Sequence, residues 1–419
     1  MKPALSPYRY VICFCSCLLI FMSVGLLSNA FPIYFPFIMK EHQFSNTQLS
    51  LLTTMRSVTA LICMFFTDRY YARLNLKRGI LLALSCGIIS FVIYGTTDSP
   101  LLYDIAAAIS GICYGLGGVI PASLLIHRWF SEHAASAMGL AASGTGIASI
   151  LGPVLITRMV QSIGLSKTFL TEACLIAAGT LFLLLTVRNE APAFPEHSDT
   201  TSDSTLISAG DDRKAAISAD SSESGPQLLF LERLRVTAGL FFVGVIGLTS
   251  YSSLSMLFTT TGHSIEEVSS VLALLGGMLI LGKCSFGLVS DRFGSSNALI
   301  CYGLLLLSGQ TLCCFSAVAG PLLLRLTLVF FGLGAAIPGV SIPILTADLC
   351  SPADYAKTLK NYQITYTLGG LLTSTLPGIL ADLTGSYLTS HVLFVFCAAG
   401  ILLFLVPVHR RYSKNRFGR

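Results

Sequence analysis

Residues 279–297 read LILGKCSFGLVSDRFGSSN, an apolar run that carries one cation, Lys283, and ends in a charged turn, Gly287-x-x-x-Asp291-Arg292-x-Gly294. A lysine near the middle of a membrane helix costs roughly 2.5–3.5 kcal/mol on insertion scales, so it faces a cavity or a partner. Eight residues later, about 12 Å along a helix at 1.5 Å per residue, the Asp-Arg pair reaches the membrane surface. The competing account lets Lys283 snorkel to the headgroups, which requires one side chain to cross about two helical turns.

Outward from this stretch the composition keeps the same character. The chain has 419 residues, of which 53% are hydrophobic and 11% charged. An ordinary soluble domain is about 25% charged, so this chain is built for lipid. Runs of about 18 apolar residues or more read as spanning helices. They recur about twelve times, at 10–35, 47–66, 79–96, 101–126, 136–160, 167–187, 236–260, 267–289, 298–318, 321–346, 358–381 and 390–408. The expected fold is an all-α membrane protein with about twelve transmembrane helices in two six-helix pseudo-repeat halves. The first run is too long for a signal-peptide core and stays as a membrane helix.

Between Arg188 and Arg235 the composition shifts to Ser, Asp, Glu, Pro and Ala, with little to bury. This reads as a flexible cytoplasmic linker over 188–235. Its last residues, 228–235 (LLFLERLR), are amphipathic and are expected along the membrane surface. The linker separates an N-terminal bundle, 1–187, from a C-terminal bundle, 236–409, which is followed by a basic tail, 410–419. Asp68-Arg69 after the second helix echoes Asp291-Arg292 after the eighth, as two halves rocking about a midplane site require.

Counting cations sets the orientation. With both termini inside, the inner loops hold Arg69, Arg73, Lys77, Arg78, Arg128, Arg292, Lys357 and Lys360, besides the linker and tail cations. The outer face keeps Lys40, Arg158, Lys167 and Arg325. That bias follows the positive-inside rule, so the net charge of +5 calls for no nucleic-acid partner. The expected setting is the plasma membrane, multi-pass, with both termini cytoplasmic and the chain a monomer.

Thirteen cysteines fall almost wholly within apolar runs, where thiols behave as small hydrophobes rather than metal ligands. No Walker motif, nucleophile–base pair or metal-ligand set occurs, so neither an enzyme nor a cofactor is expected.

The second helix carries Arg56, twelve residues before Asp68, whereas Lys283 precedes Asp291 by eight. At 100° per residue the two cations differ by about 40° in facing. One reading aims both at a common cavity, which then attracts an anion. The other has Arg56 pair with a carboxylate or cap carbonyls. Further wall candidates are Asn29 and Tyr34 in helix one, Tyr114 in helix four, and Gln363 and Tyr366 in helix eleven. Asp104, Arg158 and Glu172 form either a proton-coupling cluster or a structural ion pair. His127-Arg128-Trp129-Phe130 reads as an interfacial aromatic anchor, and Asp348 and Asp382 as solvated or capping residues. The gating set is Asp68, Arg69, Gly287, Asp291 and Arg292.

On these residues the chain resembles the major facilitator superfamily over nearly its whole length. The carriers are Gly287-x-x-x-Asp291-Arg292-x-Gly294 and the weaker copy at Asp68-Arg69, which has Met64 where the glycine falls. Within the superfamily it is similar to the monocarboxylate transporter and oxalate:formate antiporter branch. That likeness rests on Arg128-Trp129-Phe130 leading into Ala137-x-Gly139 and Gly144-x-Gly146, and on a cation eight residues before the eighth-helix Asp. In that branch the cation is usually arginine and binds substrate carboxylate; here it is Lys283. Two departures stand out. After Asn361-Tyr362…Tyr366-Thr367 comes Gly369 where oxalate carriers have lysine, and after Phe31-Pro32 comes Ile33 where animal-type carriers have lysine.

The resemblance implies a secondary active transporter of small organic anions working by alternating access, either exchanging a counter-anion or coupled to protons. Two rivals are an exporter of amphipathic drugs and a transporter-like carboxylate sensor.

Overall fold

The computed structural model describes residues 8–130, 133–187, 229–261, 265–316 and 320–417. Most of the expected 188–235 linker lies outside them. Among the described residues eleven helices are long and apolar enough to cross a membrane. They become twelve when Leu51–Phe65 and Thr67–Arg73, bent by 61° at Phe66, are taken as one span. The twelve run Tyr8–His42, the bent pair, Leu76–Thr96, Pro100–Trp129, Ala134–Ile163, Leu165–Thr186, Phe230–Leu254, Ile265–Phe293, Ser295–Cys313, Leu322–Leu349, Tyr355–Thr384 and Leu388–Phe417. They are called the first to twelfth helices below. The protein is a multi-pass, all-α membrane protein.

Local chemistry sets several ends. Ser45 and Gln48 form a reciprocal capping box that opens the second helix. Gly294 ends the eighth at φ +87°, a backbone conformation that L side chains rarely adopt. The expected charged turn is therefore the last two turns of an unbroken helix, with Gly287, Asp291 and Arg292 all inside it.

Besides the breaks in the second helix at Phe66 and in the eleventh at Ser374–Thr375, irregular backbone falls in the first, fourth, seventh and tenth helices. The first helix widens to π-helix over Phe21–Ala30, the seventh over Val245–Ser250 and the tenth over Ile337–Ser341, and the fourth breaks at Gly118. A period of three fits halves that each contain nested three-helix repeats. Such π-bulges gather at functional sites.

The halves meet along two seams, second against eleventh and fifth against eighth. The fifth–eighth seam is backbone to backbone. A Cβ added to Gly139 would lie 2.3 Å from the Lys283 carbonyl oxygen, and one added to Gly287 would lie 2.4 Å from that of Ala135. Only glycine permits this approach.

Four readings of single segments need correction. The amphipathic stretch before residue 236 is no separate helix: from Phe230 on it forms the first turns of the seventh helix. Its buried Glu232 accepts from Arg411 Nη1 (2.7 Å) and from the Tyr412 hydroxyl. The twelfth helix continues to Phe417, so the tail is largely helix. Trp129 and Phe130 are buried within the protein and so do not face lipid headgroups, with Trp129 against Tyr8 (ring centroids 5.1 Å apart) and His127 stacked on Tyr355 at 4.2 Å. Asp348 is no solvated cap; it accepts from Ser295 Oγ (2.5 Å) and meets His409 Nε2 at 3.0 Å, while Ser296 Oγ bonds His409 Nδ1 at 2.7 Å.

Candidate functional site

The eighth helix holds Lys283 ten residues before its C-terminal end, 6% exposed. Its ammonium does not snorkel. It crosses the seam and donates to Thr145 Oγ1 and to the Ala142 carbonyl (3.4 Å), both on the fifth helix. No carboxylate neutralises it among the described residues. On the tenth helix Gly339 leaves the lysine its space, since a Cβ there would lie 2.9 Å from Lys283 Cε. Hydrogen bonds to charged groups contribute about 1.5–3 kcal/mol each, enough to offset much of the cost of burying this cation.

Arg56 is placed differently. Its Nη1 donates to the Leu27 carbonyl at 2.9 Å, and its Cζ stands 5.8 Å from the Phe31 ring centroid. Both partners belong to the first helix, at and just beyond its π-helical stretch, where carbonyls lack the regular ladder. Arg56 thus caps a carbonyl, and its contacts stay within the N-terminal half, whereas those of Lys283 join the two halves. Tyr114, on the fourth helix, is half-buried.

The other wall candidates divide. Gln363 is buried, with Oε1 lacking a hydrogen-bond partner among the described residues, and Tyr366 is buried with its hydroxyl against Gly247. Asn29 is exposed. Tyr34 lies inside the N-terminal half, stacked on Phe169 at 4.3 Å, with Glu172 as its neighbour. Glu172 is buried, Asp104 half-buried and Arg158 exposed, and no ion pair joins the three among the described residues.

At the end where Tyr8 meets Trp129, both charged signatures reach across the seams. Asp291 Oδ2 accepts the Ser136 amide at 2.7 Å in the first turn of the fifth helix, with His133 Nδ1 at 4.0 Å. Asp68 pairs with Lys360 at the start of the eleventh helix. Arg69 and Arg292 are exposed, the latter over the Phe293 ring at 5.6 Å. Where Gly287 admits a backbone, its counterpart Met64 receives the Thr367 hydroxyl on its sulfur at 3.5 Å. Beside Asp291 lies a cavity of about 590 Å³, lined from one half by His127 and His133 and from the other by Asp291 and Tyr355.

Thr145 and Gly339 were not anticipated. Thr145 left a signal, a polar residue between Gly144 and Gly146 in an apolar helix. Gly339 left none beyond its neighbour Pro338. A buried network in the C-terminal half was also missed: Ser250 Oγ donates to Gln310 Oε1 (3.0 Å) and Gln310 Nε2 meets His391 Nδ1 (2.8 Å).

Two six-helix halves locked by reciprocal charged contacts at one end, with a buried cation on the seam, define a membrane transporter. The profile of the Major Facilitator Superfamily matches residues 14–282 and 236–418, and the chain belongs to that family. It is 25% identical to monocarboxylate transporter 12 of Xenopus laevis over 325 residues, 73% of this chain and 69% of that protein. It is 21% identical to the agnestins efflux protein AgnL12 of Paecilomyces divaricatus, covering 93% of this chain and 82% of that one. The crystal structure of the transporter FucP in its outward conformation has the same fold, with a TM-score of 0.69 at 19% identity over 96% of this chain and 99% of that chain.

Proposed function

We propose that the protein is a secondary active transporter of small organic anions of the monocarboxylate class. It works by alternating access, as an antiporter or a proton-coupled carrier, as a monomer in the plasma membrane with both termini cytoplasmic. The observation that carries this reading is the Lys283 ammonium, buried at the seam with only neutral acceptors among the described residues. An uncompensated cation in a low-dielectric site favours an anionic guest, and small carboxylates match its three donors. The likeness to monocarboxylate transporter 12 points the same way.

In this scheme Lys283 binds substrate, Arg56 and Tyr114 shape the N-terminal wall, and Gln363 and Tyr366 shape the C-terminal wall. Asn29 and Tyr34 remain second-line candidates. Asp68, Arg69, Gly287, Asp291 and Arg292 gate the closed end. The efflux relative favours one alternative, export of amphipathic compounds. Uptake of labelled acetate, lactate and oxalate by proteoliposomes, with wild type beside Lys283→Ala, decides between them. Carboxylate flux that vanishes with Lys283 supports the anion carrier; flux indifferent to Lys283 supports the alternative.

A further inference from the structure

Thr145 belongs to one half and Lys283 to the other, 138 residues apart, yet the hydroxyl and the ammonium are bonded. The Thr145 hydroxyl donates its own proton to the Ala142 carbonyl at 3.0 Å. With that proton committed, the lone pairs of Oγ1 are left for the ammonium. The Ala142 carbonyl itself lies 3.4 Å from Nζ, so one turn of the fifth helix presents two acceptors to one cation. The close approach of Gly139 to the Lys283 carbonyl holds the two backbones together here. Gly339 closes the other side of the lysine stem.

We propose that Thr145, aided by the Ala142 carbonyl, is the resting ligand of the Lys283 ammonium, which an incoming carboxylate displaces. This inference rests on the anion-carrier reading for its consequence, but not for its geometry. A carboxylate is charged and accepts more strongly than a hydroxyl, so the exchange is downhill once the anion arrives. It also releases a side-chain bond between the halves at the moment of loading. Thr145 is a positioning residue: it acts through Lys283 and sets how strongly an anion must bind to capture the cation.

The test compares Thr145→Ala and Thr145→Ser in the full-length protein. The first measurement is carbamylation of Lys283 by cyanate, read by peptide mass, which needs no transported substrate. Faster modification in the Ala variant, restored to the wild-type rate by Ser, is expected; equal rates in all three proteins overturn the proposal. The second is lactate uptake, where Ala lowers KM by about tenfold, the worth of one charge-assisted hydrogen bond, without raising kcat. A KM raised in the Ala variant assigns Thr145 to direct substrate contact and overturns the proposal. Carboxylate uptake that survives Lys283→Ala instead sinks the anion-carrier reading, and the cyanate result still judges Thr145.

Discussion

The carboxylate of Asp291 accepts the backbone amide of Ser136 at 2.7 Å, so a side chain of the C-terminal half sits on the first turn of a helix in the N-terminal half. Anions near helix N-termini are stabilised by about 0.3–1 kcal/mol, and more where partly buried. In the proposed scheme this contact lets Asp291 hold one conformation shut without touching cargo.

Asp291→Asn keeps an acceptor oxygen but loses the charge. We expect turnover to fall several-fold while anion affinity changes little, because the weakened contact lies about 12 Å of helix away from Lys283. Transport rate set beside protection from thermal unfolding separates the two effects. Equal losses in both would count against a gating role.

The other seam has its own bridge, Asp68 to Lys360. Asp68→Ala and Lys360→Ala should each favour the opposite conformation, and the double variant should do no more than either alone. A double-mutant cycle on cysteine cross-linking between the second and eleventh helices measures the coupling. Additive effects would mean that the two residues act separately.

Lys283→Ala should abolish carboxylate transport in protein that still inserts and folds. Removing the cation relieves an insertion cost of roughly 2.5–3.5 kcal/mol, against the loss of two hydrogen bonds to neutral acceptors. Lys283→Arg should retain partial function, since charge survives but a planar fork must fit beside Gly339. The measurement is uptake per folded molecule. A melting temperature that collapses in the Ala variant while specific transport holds would assign Lys283 a structural role.

Gly139→Ala and Gly287→Ala each drive a methyl into a carbonyl of the facing helix, at 2.3 and 2.4 Å before relaxation. Overpacking of this kind costs about 1–3 kcal/mol. Gly277→Ala, on the same eighth helix with nothing within 4 Å, is the control and should leave melting unchanged. Thermal melting in detergent checks all three; a control as unstable as the others would remove the seam argument.

The sequence carried the architecture because apolar runs of membrane length have few other readings, and Lys283 was conspicuous as the only charge between Glu267 and Asp291. What surrounds Lys283 was not legible. Its acceptors lie on a helix more than a hundred residues away, and which helices face each other is decided by packing, not by local pattern. Boundaries erred where a helix continues past its apolar run, as the twelfth does through Arg411 and Tyr412, which meet Glu232. Arg56 looked equivalent to Lys283 by helix number, but twelve residues against eight changed its level and its neighbours. His127 and Trp129 were misplaced because aromatics beside an arginine suit a headgroup layer and a buried seam equally well.

The bond between Lys283 and Thr145 also bears on how the chain is made. Ribosomes deliver the fifth helix well before the eighth, so the acceptors for the ammonium are already in the bilayer when the lysine arrives. A C-terminal half synthesised alone would have to lodge that charge in lipid without them. Separately expressed halves should therefore assemble best when the N-terminal piece is present first, and the order of synthesis becomes part of how this membrane protein tolerates a buried lysine.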